Sequence, residues 1–250
     1  MTAVLETHGL GRAFGALQAV ADVSLSVQPG ELRAVIGPNG AGKTTLFHLI
    51  SGLLPPTAGR VTFRGEDVTA LAAPARCRRG ISRTFQITSV FPELSALENV
   101  RIAIQLKARG NFRLLGGRAL LEETERRARE SLASLGLADR ADEPASTLPH
   151  GDQRVLEIAM AVAQEPDLLL LDEPTQGLSP EDTTATVGVI RKIARERGLT
   201  ILLVEHDMDV VFDLADRISV LHFGQVIADG APAEIRGNPD VRKAYLGGED

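Results

Sequence analysis

Residues 37–44 read Gly37-Pro38-Asn39-Gly40-Ala41-Gly42-Lys43-Thr44, a G-x-x-x-x-G-K-[ST] run whose chemistry is the holding of phosphate. Its glycines let backbone N–H groups curl inward around an anion, a following helix N-terminus adds partial positive charge, and Lys43 supplies a full charge between terminal phosphates. Thr44 offers a hydroxyl to Mg2+. Farther along, residues 168–171 are four leucines that end in Asp172 and Glu173. An apolar strand ending in two carboxylates is what a metal site at the C-terminal edge of a parallel sheet requires. Asp172 would hold Mg2+, directly or through water, and Glu173 would orient and deprotonate an attacking water. Alone, such a pair is as often a helix N-terminus; together with the phosphate loop it points to phosphoryl transfer.

These residues need elements that place them. The apolar run 34–36 precedes the glycine loop, and Leu46, Leu49, Ile50 and Leu53 follow it at helical spacing, so loop and context agree. Residues 168–171, 200–204 and 218–221 are continuous apolar strands of the kind covered on both faces in parallel sheets. Thr183, Val187, Ile190 and Ala194 recur at helical spacing between the first two, which makes a βαβ unit. In residues 20–27, Val23, Leu25 and Val27 alternate with Ser24, Ser26 and Gln28, and residues 60–64 alternate through Val61 and Phe63. The expectation there is a small mixed β subdomain, with antiparallel structure around the more buried strand 33–36. Residues 97–137 read mostly as helices. Glu122/Arg126, Glu123/Arg127 and Glu125/Arg129 form i,i+4 pairs on an exposed face, after a flexible break at 111–117.

Composition narrows the class. A chain of 250 residues that is 44% hydrophobic, with a net charge of -6, fits one large α/β domain and makes disorder or polyanion binding poor readings. The single cysteine, Cys77, excludes an internal disulfide and a cysteine-based metal cluster. No apolar run approaches the roughly 18 residues of a membrane span, and the N-terminus does not read as a signal peptide, so the expectation is cytoplasmic synthesis without export. Arg76, Arg78, Arg79 and Arg83 cluster, and the expectation for them is a solvated, salt-bridged face.

With these motifs in order from Phe14 to His206, the chain resembles the ATP-binding subunit of an ATP-binding-cassette (ABC) transporter. The resemblance covers nearly its whole length. It implies a P-loop NTPase fold of the ABC type: a RecA-like mixed sheet core, an N-terminal antiparallel β subdomain and a helical subdomain. Residues 1–250 would form one nucleotide-binding domain, with the helical part at about 97–165 and a C-terminal tail at about 230–250. It also implies ATP and Mg2+ as ligands, with residues 37–44 and Thr45 around the phosphates. Gln86, in Arg83-Thr84-Phe85-Gln86, resembles the family's Q-loop glutamine, which touches Mg2+ and the attacking water. His206 stands where the family has its switch histidine, and Phe14 resembles the aromatic that stacks on adenine. Glu173, His206 and Gln86 are therefore the catalytic set, and Thr44, Gln86 and Asp172 the metal set. His8, His48 and His222 read as structural, with His150 left open.

Two motifs depart from the family. Where it usually reads LSGGQ, this chain has Leu148-Pro149-His150-Gly151-Asp152, and Ser179 replaces an aspartate in the loop Gly177-Leu178-Ser179-Pro180. The signature helix is retained in Val155, Ile158, Ala159 and Val162, but the serine hydroxyl that would reach the γ-phosphate bound by the opposite subunit is gone. The resemblance implies a second ATPase subunit, identical or paralogous, permease subunits in the inner membrane, a periplasmic binding protein, a peripheral place on the cytoplasmic face, and no nucleic acid. The helical insert around 113–129, the loop 177–180 and the ending 241–247 resemble importer ATPases for branched-chain and other hydrophobic amino acids. A lipopolysaccharide or lipid exporter, a urea or amide importer, and a weakly hydrolysing regulatory subunit stay open as alternatives.

Overall fold

The computed structural model describes residues 2–84, 90–107 and 118–246. Two sheets share the work. The first is antiparallel, in the order β2-β1-β4-β5, from β1 (Leu5–Phe14), β2 (Leu17–Val27), β4 (Ala58–Phe63) and β5 (Glu66–Asp67). The second has the order β10-β9-β3-β8-β7-β6 and comprises β3 (Leu32–Ile36), β6 (Ile81–Arg83), β7 (Leu168–Asp172), β8 (Thr200–Val204), β9 (Arg217–His222) and β10 (Gln225–Gly230). Its first five strands in space from β6 to β9 run parallel, and β10 closes the edge antiparallel to β9.

Burial explains the sequence patterns. Val23, Leu25 and Val27 are buried while Ser24 and Ser26 are exposed, as a one-faced strand requires. By contrast β3, β7 and β8 are buried throughout. Leu168 and Leu170 face the cluster that also holds β1, β2 and helix α1 (Lys43–Ser51), while Leu169 and Leu171 face a second cluster built with helices. That second layer contains α3 (Ala96–Lys107), α4 (Arg118–Ser134), α5 (His150–Val162), α6 (Pro180–Glu196) and α7 (Met208–Leu214). Short helices α2 (Ala73–Arg79), α8 (Pro232–Gly237) and α9 (Pro239–Leu246) complete the chain.

Three expectations are corrected. Strand β3 does not sit within the antiparallel sheet; it lies between β8 and β9, because its both-faced burial suits only the centre of the parallel sheet. β1, which the alternation did not single out, takes its place between β2 and β4. The arginine cluster is not one solvated face. Arg79 pairs with Glu66, but Arg76 is 1% exposed and donates to the carbonyls of Leu49, Ile50, Thr69 and Leu71, closing the C-terminal end of α1. Burial presses the Arg76 guanidinium down to about 10. On α4, Arg129 pairs with Glu125 as read, whereas Arg126 turns to Glu123 and Glu130 and Arg127 crosses to Glu165.

Candidate nucleotide site

Parallel pairing brings the chemistry to one sheet edge. Val35 of β3 and Asp172 of β7 both stand opposite Val204 of the intervening β8, so their strands lie about 10 Å apart. The loop after β3, the carboxylates after β7 and His206 after β8 therefore emerge side by side.

The loop 37–42 is shaped by its glycines. A Cβ on Gly37 would meet the Leu221 carbonyl oxygen at 2.1 Å, and one on Gly42, at φ 102°, would meet that of Ala19 at 2.3 Å. Gly42 is the N-cap of α1 and no side chain caps it, so the first N–H groups of the helix face the loop's concavity. Lys43 is 8% exposed and donates to the carbonyls of Gly37 (2.7 Å) and Pro38 (3.1 Å). Burial lowers its pKa from 10.5, while the charges of Glu173 and Asp172 oppose that shift. Lysine and both carboxylates thus share one field. Thr44 is exposed and Thr45 half-buried on the first turn.

Asp172 is 1% exposed, and its Oδ2 accepts from Arg83 Nη2 at 2.7 Å; Arg83 also reaches Ser51 Oγ at 3.1 Å. His48 of α1 stands near this pair, its pKa lowered by burial and then by Arg83, against the opposing charge of Asp172. The carboxylate is thus an oxygen ligand already paired with a cation. Asp172 and the Thr44 hydroxyl are hard oxygen donors of the kind Mg2+ takes, and would be the ones to hold it here. Among the described residues no three His, Cys, Asp or Glu side chains converge, so a divalent ion here would complete its shell with phosphate oxygens and water. Gln86 lies outside the described residues.

Glu173 follows with φ 47°, a left-handed conformation that costs a non-glycine residue about 1–3 kcal/mol. Its N–H donates to the Val204 carbonyl at 2.9 Å, and its own carbonyl accepts from Gln176 N at 3.2 Å. On the neighbouring strand, His206 is exposed and its backbone N–H donates to Oε2 of Glu205 at 3.0 Å. Glu205 is fully buried and also accepts from Thr175 N (2.9 Å) and Thr175 Oγ1 (2.5 Å). Sequence reading passed over Glu205, yet it ties the segment carrying His206 to the turn after Glu173.

Over residues 20–176 the chain matches the ABC transporter family, and residues 225–250 match the branched-chain amino acid ATP-binding cassette transporter family. The chain belongs to the ABC transporter ATPase family. It is 41% identical, over 98% of both chains, to the high-affinity branched-chain amino acid transport ATP-binding protein BraF of Pseudomonas aeruginosa. Identity to LivG of Escherichia coli, which carries the same description, is also 41% over 98% of both chains. A nucleotide-free ATP-binding cassette from an ABC transporter superposes with a TM-score of 0.86 at 30% identity, covering 98% of this chain and 99% of the other. Another, in its ADP conformation, gives 0.85 at 29% identity over 99% and 100%.

As an ABC ATPase the chain binds and hydrolyses ATP, and the remaining motifs can be placed against that activity. Leu148 is buried ahead of α5, whose N-cap is Pro149 with no side-chain cap. The α5 start makes its contacts away from the phosphate loop. A Cβ on Gly151 would meet Asp182 Oδ1 at 2.5 Å, His150 Cε1 lies 3.9 Å from one built on Gly177, and Asp152 pairs with Arg140 at 3.4 Å. Ser179 is the N-cap of α6, its Oγ accepting from Asp182 N and donating to Asp182 Oδ2 at 2.8 Å. Phe14 is 44% exposed rather than part of the core, with the Arg12 guanidinium 4.8 Å from its ring centre. Tyr245, read in the sequence only as part of the ending 241–247, follows Lys243 and Ala244 on α9, which line one cavity with Pro38, Asn39 and Gly40 of the phosphate loop, and desolvation pushes its pKa up to about 12. No helix among the described residues is long and apolar enough to cross a membrane.

Proposed function

We propose that this ATPase powers the import of branched-chain or other hydrophobic amino acids. The observation that carries this reading is the match of residues 225–250 to the branched-chain amino acid cassette family, joined to full-length identity with BraF and LivG. Residues 37–45 hold the phosphates, with Lys43 leaving the Gly37 and Pro38 carbonyls for the β- and γ-phosphate oxygens. Phe14 stacks on adenine. Thr44, Asp172 and Gln86 would hold Mg2+, which would offset phosphate charge. Glu173 accepts a proton from water as the water oxygen bonds to Pγ and the bond from Pγ to the ADP oxygen breaks. His206 donates to the γ-phosphate. Residues 148–152 of a second ATPase subunit close the site from the other side, through the uncapped N-terminus of α5.

The helical segment at about 97–165 meets the permease on the cytoplasmic face of the inner membrane, with a periplasmic binding protein delivering cargo outside. A groove of about 230 Å³ between β6, α3 and α5 supports that docking, since Phe91 and Leu106 at its wall are 48% and 71% exposed. Glu173→Gln tests the motor: turnover falls about a thousandfold while ATP binding persists and an ATP-dependent dimer accumulates on sizing. Unchanged turnover removes Glu173 as the base. Loss of leucine uptake on deleting the coding gene tests the cargo, and wild-type uptake refutes it.

A further inference from the structure

Two charged side chains on α5 are buried where an apolar helix face would be expected. Arg154 and Glu157 pair at 2.6 Å, with side chains 8% and 5% exposed. Arg154 Nη2 donates at 3.0 Å to the main-chain carbonyl of Glu173. That carbonyl belongs to the residue held at φ 47°, whose N–H is fixed by Val204. A left-handed glutamate persists only where its surroundings over-determine it, and a guanidinium donating to its carbonyl is a charge-assisted restraint. Glu157 in turn lines the groove between β6, α3 and α5.

We propose that Arg154 is a positioning residue for Glu173, and that Glu157, at the wall of the groove assigned above to the permease, sets where Arg154 stands. The proposal rests on the reading of Glu173 as the base. It places a three-part connection of groove carboxylate, guanidinium and main-chain carbonyl between the docking face and the reacting water. The connection acts through the backbone, so it leaves nucleotide affinity alone and governs the alignment of the carboxylate, where an error of about 1 Å is enough for a hundredfold loss of rate.

The test uses the full-length chain as Arg154→Met/Glu157→Met, Arg154→Lys and Glu157→Gln. Replacing both members of a buried ion pair by apolar side chains of similar volume preserves stability, so the double variant separates positioning from folding. The expected result is a wild-type Tm and a KM for MgATP within about twofold, with kcat lowered about ten- to a hundredfold. Arg154→Lys recovers part of that loss and Glu157→Gln shows a smaller one. Independently of turnover, amide hydrogen exchange over residues 175–178 quickens about tenfold in the double variant while residues 168–171 stay protected. Wild-type kcat with unchanged exchange would overturn the proposal. A Glu173→Gln variant that keeps its turnover refutes the base assignment instead, and the exchange result still decides whether Arg154 restrains the turn.

Discussion

Four helices start near the working edge of the large sheet, and they begin in two different ways. α6 and α7 are capped by their own side chains, Ser179 and Asp207. α1 and α5 are not: Gly42 has no side chain and Pro149 none that can accept. A helix N-terminus carries N–H groups without intrahelical partners. Two of the four therefore satisfy themselves, and two keep donors for something negative. The open pair also differ from each other. α1 is preceded by left-handed glycines and carries Lys43, so it combines curled backbone donors with a full charge. α5 has a proline in ordinary extended geometry, and its first-turn acid, Asp152, is held by Arg140. In the proposed function α1 binds the nucleotide, and α5 of a second subunit, offering a dipole and backbone donors alone, completes the site that α1 has filled.

This contrast breaks most visibly at α1. Lys43→Ala weakens ATP binding about a hundredfold, the worth of charge-assisted hydrogen bonds to phosphate, as read by equilibrium titration. Because burial holds the ammonium below 10.5, wild-type affinity declines as pH climbs toward 10.5 and the cation deprotonates. The alanine variant loses that dependence, and tight binding by it removes the phosphate-loop assignment. A smaller effect is expected at α5. Pro149→Asp supplies the missing cap, raising stability by about 1 kcal/mol, yet weakens ATP-driven dimerisation about tenfold by setting a carboxylate where phosphate should go. A rise in both quantities refutes the role given to the open α5 terminus. Smallest is Ser179→Ala, which removes the α6 cap and about 1 kcal/mol of stability, with nucleotide affinity unchanged in the same titration.

Legibility followed the same division. The phosphate loop, the leucine strand with its two carboxylates and the crossover helix could be read because each is a local pattern fixed by backbone geometry: glycines where L side chains clash, apolar runs where both faces are covered. Which sheet β3 joins is not local. It depends on strands 200–204 and 217–222 arriving on either side; the apolar run 34–36 marks burial on both faces but does not name those neighbours. Arg154, Glu157 and Glu205 escaped notice for another reason, since a charge on a helix or at a strand end is normally solvated and only tertiary packing buries it. One signal was available. Arg154 and Glu157 sit at i,i+3 among Val155, Ile158 and Ala159 on the stripe facing the core, and opposite charges inside an apolar stripe pair with each other or with something essential. Arg76 offered less, because its partners are backbone carbonyls that no motif announces.

The position of Tyr245 on α9, next to the cavity at the phosphate loop, has an optical consequence. The chain contains one tyrosine and no tryptophan, so its intrinsic ultraviolet emission comes essentially from a single phenol, on the helix whose Lys243 and Ala244 line one cavity with Pro38, Asn39 and Gly40 of the phosphate loop. Whatever fills that loop alters the environment of the only strong emitter in the molecule. The protein carries its own unlabelled reporter of nucleotide occupancy, in a form that can be followed on the timescale of a single binding event.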